Sequence, residues 1–124
     1  ERFVVLGRIP REELLRLYSR AWALLFPSIS EEPLPYAVLE AAAMGTIPVA
    51  FRVGGVLEII KGTPAERFLC KPNDVPCLFK KLEEVLSLTS NDLIGMSLDL
   101  RERLVKRVSV TYIGEKFEKL FISL

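Results

Sequence analysis

The sequence predicts an α/β fold in which a parallel sheet is covered by helices on both faces. Short apolar runs alternate with helical segments through about the first 70 residues. The runs are continuously apolar, which is typical of strands buried on both faces. Half of the 124 residues are apolar and 27% are charged, so one domain can bury a core. Ligands of such sheets bind at the carboxyl ends of the strands, so the candidate loops are residues 7–8, 27–35, 51–55 and 71–74.

Four strands are predicted from apolar runs that end at turn-forming residues. Residues 3–6, with the sequence FVVL, predict a buried first strand that ends at Gly7. The second run, at residues 23–26, ends at Pro27. Two more runs predict strands at residues 47–51 and 67–70.

Helices are predicted between these strands. Pro10 opens a helix over residues 10–23, because proline suits a first helical turn. A helix from about residue 36 to residue 44 ends at Gly45, the expected left-handed stop. A short helix is predicted over residues 56–62.

The chain after residue 74 is predicted to be helical. Residues 75–88 are amphipathic, with Asp74 as the N-cap and Pro76 in the first turn. Ser90 is predicted to cap the next helix. The remaining residues complete a helical C-terminal tail.

Composition excludes several classes of function. Lys and Arg total 17 and Asp and Glu total 16, so a nucleic-acid-binding surface is not predicted. Histidine is absent, which removes Ser-His and Cys-His nucleophiles and histidine metal ligands. Cys70 and Cys77 match no zinc or redox spacing and are predicted to be reduced thiols. No apolar run reaches the roughly 18 residues of a membrane span, and no signal peptide is recognised. An intracellular protein is therefore expected.

The segment EEPLPYAVLEAAAMG, residues 31–45, contains the most informative charges. Its helix is apolar on every side except for Glu40, and a buried glutamate needs a partner. Glu40 must therefore face a cavity, a ligand or a base such as Arg52 or Lys71. Glu32 lies before the helix N-terminus, within about 12 Å of Glu40 at about 1.5 Å per residue. Since free N–H groups at that terminus attract anions, the layout of carboxylate, anion site and carboxylate matches a nucleotide-sugar.

The order of these motifs resembles the C-terminal, donor-binding domain of retaining glycosyltransferases of family 4, which have the GT-B fold. The matching residues are Pro27, Ser28, Glu32, Glu40, Ala41, Ala43, Gly45, Pro48, Val49, Gly54, Gly55 and Glu58. The resemblance covers about residues 1–90. It implies a Rossmann-like sheet, with residues 1–124 forming part of a nucleotide-sugar-binding domain.

The resemblance also implies roles for individual residues around one donor molecule. Donor-sugar contacts are expected from Glu32, Pro33 and Leu34. Diphosphate contacts are expected from Pro35, Tyr36 and Ala37. Ribose contacts are expected from Glu40, and the base is expected near Gly7, Arg8 and Ile9. Pro35 and Arg52 depart from the family pattern, and Pro35 has no N–H to offer a phosphate.

In this family a sugar is transferred from a nucleotide donor with retention, generally without metal or cofactor. The acceptor domain, its active-site histidine and two strand–helix units of the donor domain would precede residue 1. We therefore expect no catalytic residue in this chain and no turnover by the chain alone. Sheet edges exposed in this way predict self-association or a strand swap.

Two alternatives remain open at this point. A non-catalytic α/β interaction module would explain Glu40 as an ion pair within the core. A group of basic residues in the helical tail would either contact an anionic membrane or a lipid-linked acceptor, or form a solvated helix face; they are Arg101, Arg103, Lys106 and Arg107. The expected location is thus the cytoplasm, with the membrane surface as the alternative. A nicotinamide-binding domain is not predicted, because Gly-x-Gly-x-x-Gly is absent.

Overall fold

The computed structural model describes residues 2–123, with the side chains of Tyr112 and Phe121 excepted. The described strands are β1 (Ala23–Phe26), β2 (Ile47–Phe51) and β3 (Leu69–Cys70). The described α-helices are α1 (Arg11–Arg20), α2 (Tyr36–Ala43), α3 (Val56–Ile60), α4 (Val75–Leu86), α5 (Ser90–Val108) and α6 (Val110–Ile122). A 3₁₀ helix, Pro64–Phe68, precedes β3.

The three strands form one parallel sheet in the order β1-β2-β3. All five residues of the central strand β2 are buried. Because successive side chains of a strand point to opposite faces, this burial means that both faces of the sheet are covered. Helix α2 packs on β1 and β2, and helix α4 packs on all three strands. The predicted α/β class and parallel sheet are therefore confirmed.

Residues 3–6 do not form the predicted buried strand. They have no regular secondary structure, and Phe3 and Val5 are 100% and 94% exposed. No described strand pairs with them, since the sheet contains β1, β2 and β3. An apolar run is buried as a strand when a neighbouring strand accepts its backbone hydrogen bonds, and residues 3–6 have no such neighbour here. This prediction was wrong.

Local capping signals define three of the helix ends. Asp74 Oδ1 accepts a hydrogen bond from Cys77 N at 3.1 Å, which confirms the predicted N-cap of α4. The cap of α5 is Thr89 and not the predicted Ser90, because Thr89 Oγ1 accepts from Asp92 N at 3.1 Å. Gly45 follows α2 with a positive φ of 85°, as predicted.

The prediction of two reduced thiols was also wrong, because Cys70 and Cys77 form a disulfide. Cys70 ends β3 and Cys77 lies in the first turn of α4, so a tight turn brings their Cα atoms to 6.0 Å. That separation suits a disulfide. Known metal-site and redox-motif spacings do not include this strand–turn–helix arrangement, so the cysteine spacing did not predict the disulfide.

The core lies between β2, the 3₁₀ helix and the surrounding α-helices. Its largest fully buried side chains include Phe68, Ile47, Ile60, Leu100 and Leu104. The last two belong to α5, so the first helix of the predicted tail is part of the core.

Among the described residues, no helix is long and apolar enough to cross a membrane.

Candidate functional site

The start of α2 is an open helix end at the carboxyl edge of the sheet. It follows the loop that leaves the end of β1, and its first backbone bond runs from Leu39 N to Pro35 O at 3.1 Å. The N–H groups of Tyr36, Ala37 and Val38 have no acceptor within residues 2–123. Pro35 provides no side-chain cap. Unpaired N–H groups and the helix dipole together make this end attractive to anions.

The loop before α2 rests on the loop that follows β2. Glu31 Oε2 accepts a hydrogen bond from Gly54 N at 2.7 Å, and Glu32 O accepts one from Gly55 N at 2.8 Å. The sequence assigned no role to Glu31. The pair Gly54-Gly55 was the available signal, because adjacent glycines allow another backbone segment to approach closely.

The three residues predicted to contact the donor sugar, Glu32, Pro33 and Leu34, are exposed. The Glu32 carboxylate forms no hydrogen bond or ion pair with any described residue. Pro33 and Leu34 line a cavity of about 150 Å³ together with Glu58 and Arg107. The structure thus leaves the Glu32 carboxylate available to a ligand.

Glu40 lies on α2, just over one turn from its start, and pairs with a base that the sequence did not identify. Arg11 Nη2, at the beginning of α1, is 3.1 Å from Glu40 Oε1. The Glu40 side chain is 21% exposed, whereas Arg11 is 73% exposed. Burial, together with the negative charge of Glu40, raises the pKa of the neighbouring Tyr18 hydroxyl above its ordinary value. Neither Arg52 nor Lys71, the bases considered from the sequence, is the partner.

The predicted base-proximal loop leads directly into α1. Gly7 has a positive φ of 64°, and Arg8 is exposed whereas Ile9 is partly buried. Because Arg11 follows two residues later and contacts Glu40, this loop ends on the same side of the molecule as the Glu40 carboxylate. The structure therefore brings the end of the loop toward the predicted ribose position.

Two of the basic residues considered for membrane contact donate to the end of α3. Arg107 Nη1 donates to Glu58 O at 3.0 Å and to Ile59 O at 2.8 Å, and its Nη2 donates to Lys61 O at 2.6 Å. Arg103 Nη1 donates to the carbonyl of the following Gly62 at 3.1 Å. Basic groups at a helix C-terminus satisfy its free carbonyls. These contacts attach α5 to α3.

The described part of the chain thus defines an α/β domain with an open helix N-terminus and two glutamates at the carboxyl edge of a parallel sheet. A sequence profile of the family "Glycosyl transferases group 1" matches residues 1–109. The chain belongs to this family of group 1 glycosyltransferases.

A similar protein is the 2-deoxystreptamine glucosyltransferase of Streptomyces kanamyceticus, which is 34% identical over 87 residues. The match covers 69% of this chain and 22% of that protein. The chain therefore spans about a fifth of the length of this relative.

Proposed function

We propose that this chain is the donor-binding part of a retaining glycosyltransferase of family 4, within the C-terminal domain of a GT-B enzyme. It binds a nucleotide-diphosphate sugar, and the acceptor is held elsewhere in the full-length enzyme. The observation that carries the proposal is the open N-terminus of α2 between the glutamates Glu32 and Glu40. Membership of the group 1 glycosyltransferases supports it.

The diphosphate lies against the first turn of α2 in this proposal. Pro35 has no N–H, so the N–H groups of Tyr36 and Ala37 are the donors to phosphate oxygens. As the sugar leaves, negative charge develops on the diphosphate. The α2 dipole and these N–H groups oppose that charge without a metal ion or cofactor.

The two glutamates act at opposite ends of the donor. Glu32, whose carboxylate has no partner within residues 2–123, accepts hydrogen bonds from sugar hydroxyls. Glu40 accepts from the ribose hydroxyls, and the loop at Gly7, Arg8 and Ile9 lies beside the base. An ion pair with an exposed side chain is weak, so Arg11 does not prevent Glu40 from binding ribose.

The first experiment is a calorimetric titration of the chain with UDP, GDP and ADP and with their glucose conjugates. Glucose is the first sugar to test because the similar Streptomyces protein is a glucosyltransferase. We expect binding of at least one pair at about 1 mM, equivalent to about −4.1 kcal/mol. The purified chain should transfer no sugar, because the proposal places the catalytic groups outside it. Sugar transfer by the chain alone would contradict this last point.

Glu40→Gln should weaken nucleotide binding about tenfold, because a hydrogen bond to a charged group contributes about 1.5–3 kcal/mol. The loss should appear with the nucleoside diphosphate as well as the nucleotide-sugar, because both contain the ribose. Glu83→Gln is the matched control, since Glu83 is exposed on α4 and its carboxylate has no partner among the described residues. Equal affinities in the two variants would contradict the ribose role of Glu40.

The Arg11–Glu40 ion pair specifically favours the alternative function, a non-catalytic α/β interaction module. In that case the pair joins α1 to α2 and has no ligand. No binding of any of these nucleotides at millimolar concentration would support the module. Arg11→Ala and Glu40→Gln would then lower stability equally and leave ligand binding undetectable.

A further inference from the structure

The adjacent glutamates Glu31 and Glu32 have different surroundings. The Glu31 carboxylate accepts the N–H of Gly54 at 2.7 Å, whereas the Glu32 carboxylate has no partner among the described residues. Glu32 is instead held through its backbone, because its carbonyl accepts the N–H of Gly55 at 2.8 Å. Two consecutive N–H groups of one turn thus hold two consecutive residues of the neighbouring loop.

The two loops approach so closely that the turn requires glycine. A Cβ at Gly54 would lie 2.1 Å from Glu32 O, and a Cβ at Gly55 would lie 1.9 Å from Pro33 O. Gly54 also has a positive φ of 48°. A side chain at either position would push the loop away, so the Gly-Gly turn acts as a seat for residues 31–33.

We propose that Glu31 is a positioning residue that holds Glu32 beside the open end of α2. Its carboxylate fastens the loop to the seat by a hydrogen bond that involves a charged acceptor, and such bonds are stronger than neutral ones. Glu31 itself does not contact the donor. This inference rests on the proposed function for the role of Glu32 at the donor sugar, whereas the fastening of the loop does not depend on it.

Separate contacts for the nucleotide and the sugar allow a selective test. The nucleoside diphosphate binds at α2 and Glu40, and the sugar adds its contact with Glu32. Loss of the Glu31 fastening should therefore reduce the extra affinity that the sugar provides and leave the affinity for the nucleoside diphosphate unchanged. A general loss of folding would instead weaken both ligands.

The experiment compares Glu31→Ala with Glu31→Gln in the chain, using the nucleoside diphosphate and nucleotide-glucose that bind the unmodified protein. Glu31→Ala should weaken nucleotide-glucose binding about fivefold and change nucleoside diphosphate binding less than twofold. Glu31→Gln should restore binding to within twofold, because its side-chain oxygen still accepts the Gly54 N–H. Glu31→Ala and Glu32→Ala should not be additive, because both remove the same contact.

Hydrogen exchange of the Gly54 amide provides a readout that does not depend on any ligand. Exchange should accelerate at least tenfold in Glu31→Ala and remain slow in Glu31→Gln. If the unmodified chain binds no nucleotide, the proposed function fails while this measurement still tests the fastening. Unchanged Gly54 exchange in Glu31→Ala would overturn the inference. Equal loss of both ligands would overturn it, and so would a Glu31→Gln variant as weak as Glu31→Ala.

Discussion

At the residue scale, the three glutamates near α2 are distinguished by their partners. Glu31 accepts a backbone N–H, Glu40 pairs with Arg11, and Glu32 has no partner within residues 2–123. The sequence predicts that Glu40 needs a partner, since its helix is otherwise apolar. It does not identify Arg11, because the ion pair depends on how α1 packs against α2. Only the packed structure therefore distinguishes the three carboxylates.

Tyr18 provides a pH-dependent measurement of the α1–α2 contact. Burial and the Glu40 charge raise its pKa above 10.0, its ordinary value. Because the pKa is raised in the folded state, the neutral Tyr18 hydroxyl contributes stability at pH values below the unfolded pKa. This stability is lost as the pH rises through the folded pKa. The free energy of unfolding of Tyr18→Phe, measured in urea, should therefore rise relative to that of the unmodified chain above pH 10. The gain should be less than about 1.4 kcal/mol for each unit by which the Tyr18 pKa is raised.

The matched control for that measurement is Tyr36→Phe. Tyr36 is 68% exposed at the start of α2 and loses the same hydroxyl. Comparison of the two variants separates the effect of the Tyr18 environment from the effect of removing a tyrosine hydroxyl. A stability difference for Tyr18→Phe that stays constant from pH 8 to pH 11 would contradict the raised pKa.

At the scale of elements, local signals predicted several boundaries, whereas a strand and a disulfide were predicted wrongly. Asp74 and Gly45 mark helix ends through nearby backbone atoms, so the sequence alone identifies them. The wrong predictions concern residues 3–6, the Ser90 cap and the Cys70–Cys77 pair. The burial of residues 3–6 depends on a neighbouring strand, whereas the cap and the disulfide depend on local backbone geometry that residue spacing alone does not give. The site follows the same pattern: its loop was recognised from the motif, and the fastening by Glu31 was not. The roles toward a donor remain predictions.

The end of α2 should be sensitive to substitution of Gly45. Its φ is 85°, and a Cβ there would lie 2.3 Å from Ser97 Oγ, which donates to Gly45 O at 2.6 Å. Gly45→Ala should therefore lower the free energy of unfolding by about 1–3 kcal/mol, measured with urea. Gly95→Ala is the control, because Gly95 lies inside α5 where a Cβ would meet no described atom within 4 Å.

The control should change stability in the opposite direction. Alanine is favoured over glycine in a helix interior by about 1 kcal/mol, so Gly95→Ala should stabilise the chain. The same sign for both substitutions would show that the left-handed conformation and the close contact with Ser97 do not determine the cost at Gly45.

At the scale of the whole molecule, the sheet has an exposed edge at β1. Among the described strands, the outer strand β1 pairs only with β2, and Leu25 on this strand is 44% exposed. Residues 3–6, which precede α1, are also apolar, exposed and outside any strand. Open edges and unpaired apolar segments favour pairing with another chain.

The chain should therefore self-associate, and light scattering should report a mass above that of a 14.0 kDa monomer. Val5→Lys should shift the population toward monomer, because a lysine at a strand edge opposes pairing. Val110→Lys is the control, since Val110 is a similarly exposed valine on α6. A monomeric unmodified chain, or an equal effect of the two lysines, would contradict association through residues 3–6.

The short helix α3 connects the tail to the candidate site. At its start, the N–H of Gly55 donates to the carbonyl of Glu32, and at its end, Arg107 donates hydrogen bonds to three backbone carbonyls. This arrangement matters for building chimeras in which donor-binding segments are exchanged between glycosyltransferases. A crossover placed before α5 would separate α3 from Arg107. A junction after residue 108 would transfer the loop of residues 31–33, the Gly54-Gly55 turn and the α3–Arg107 contacts together.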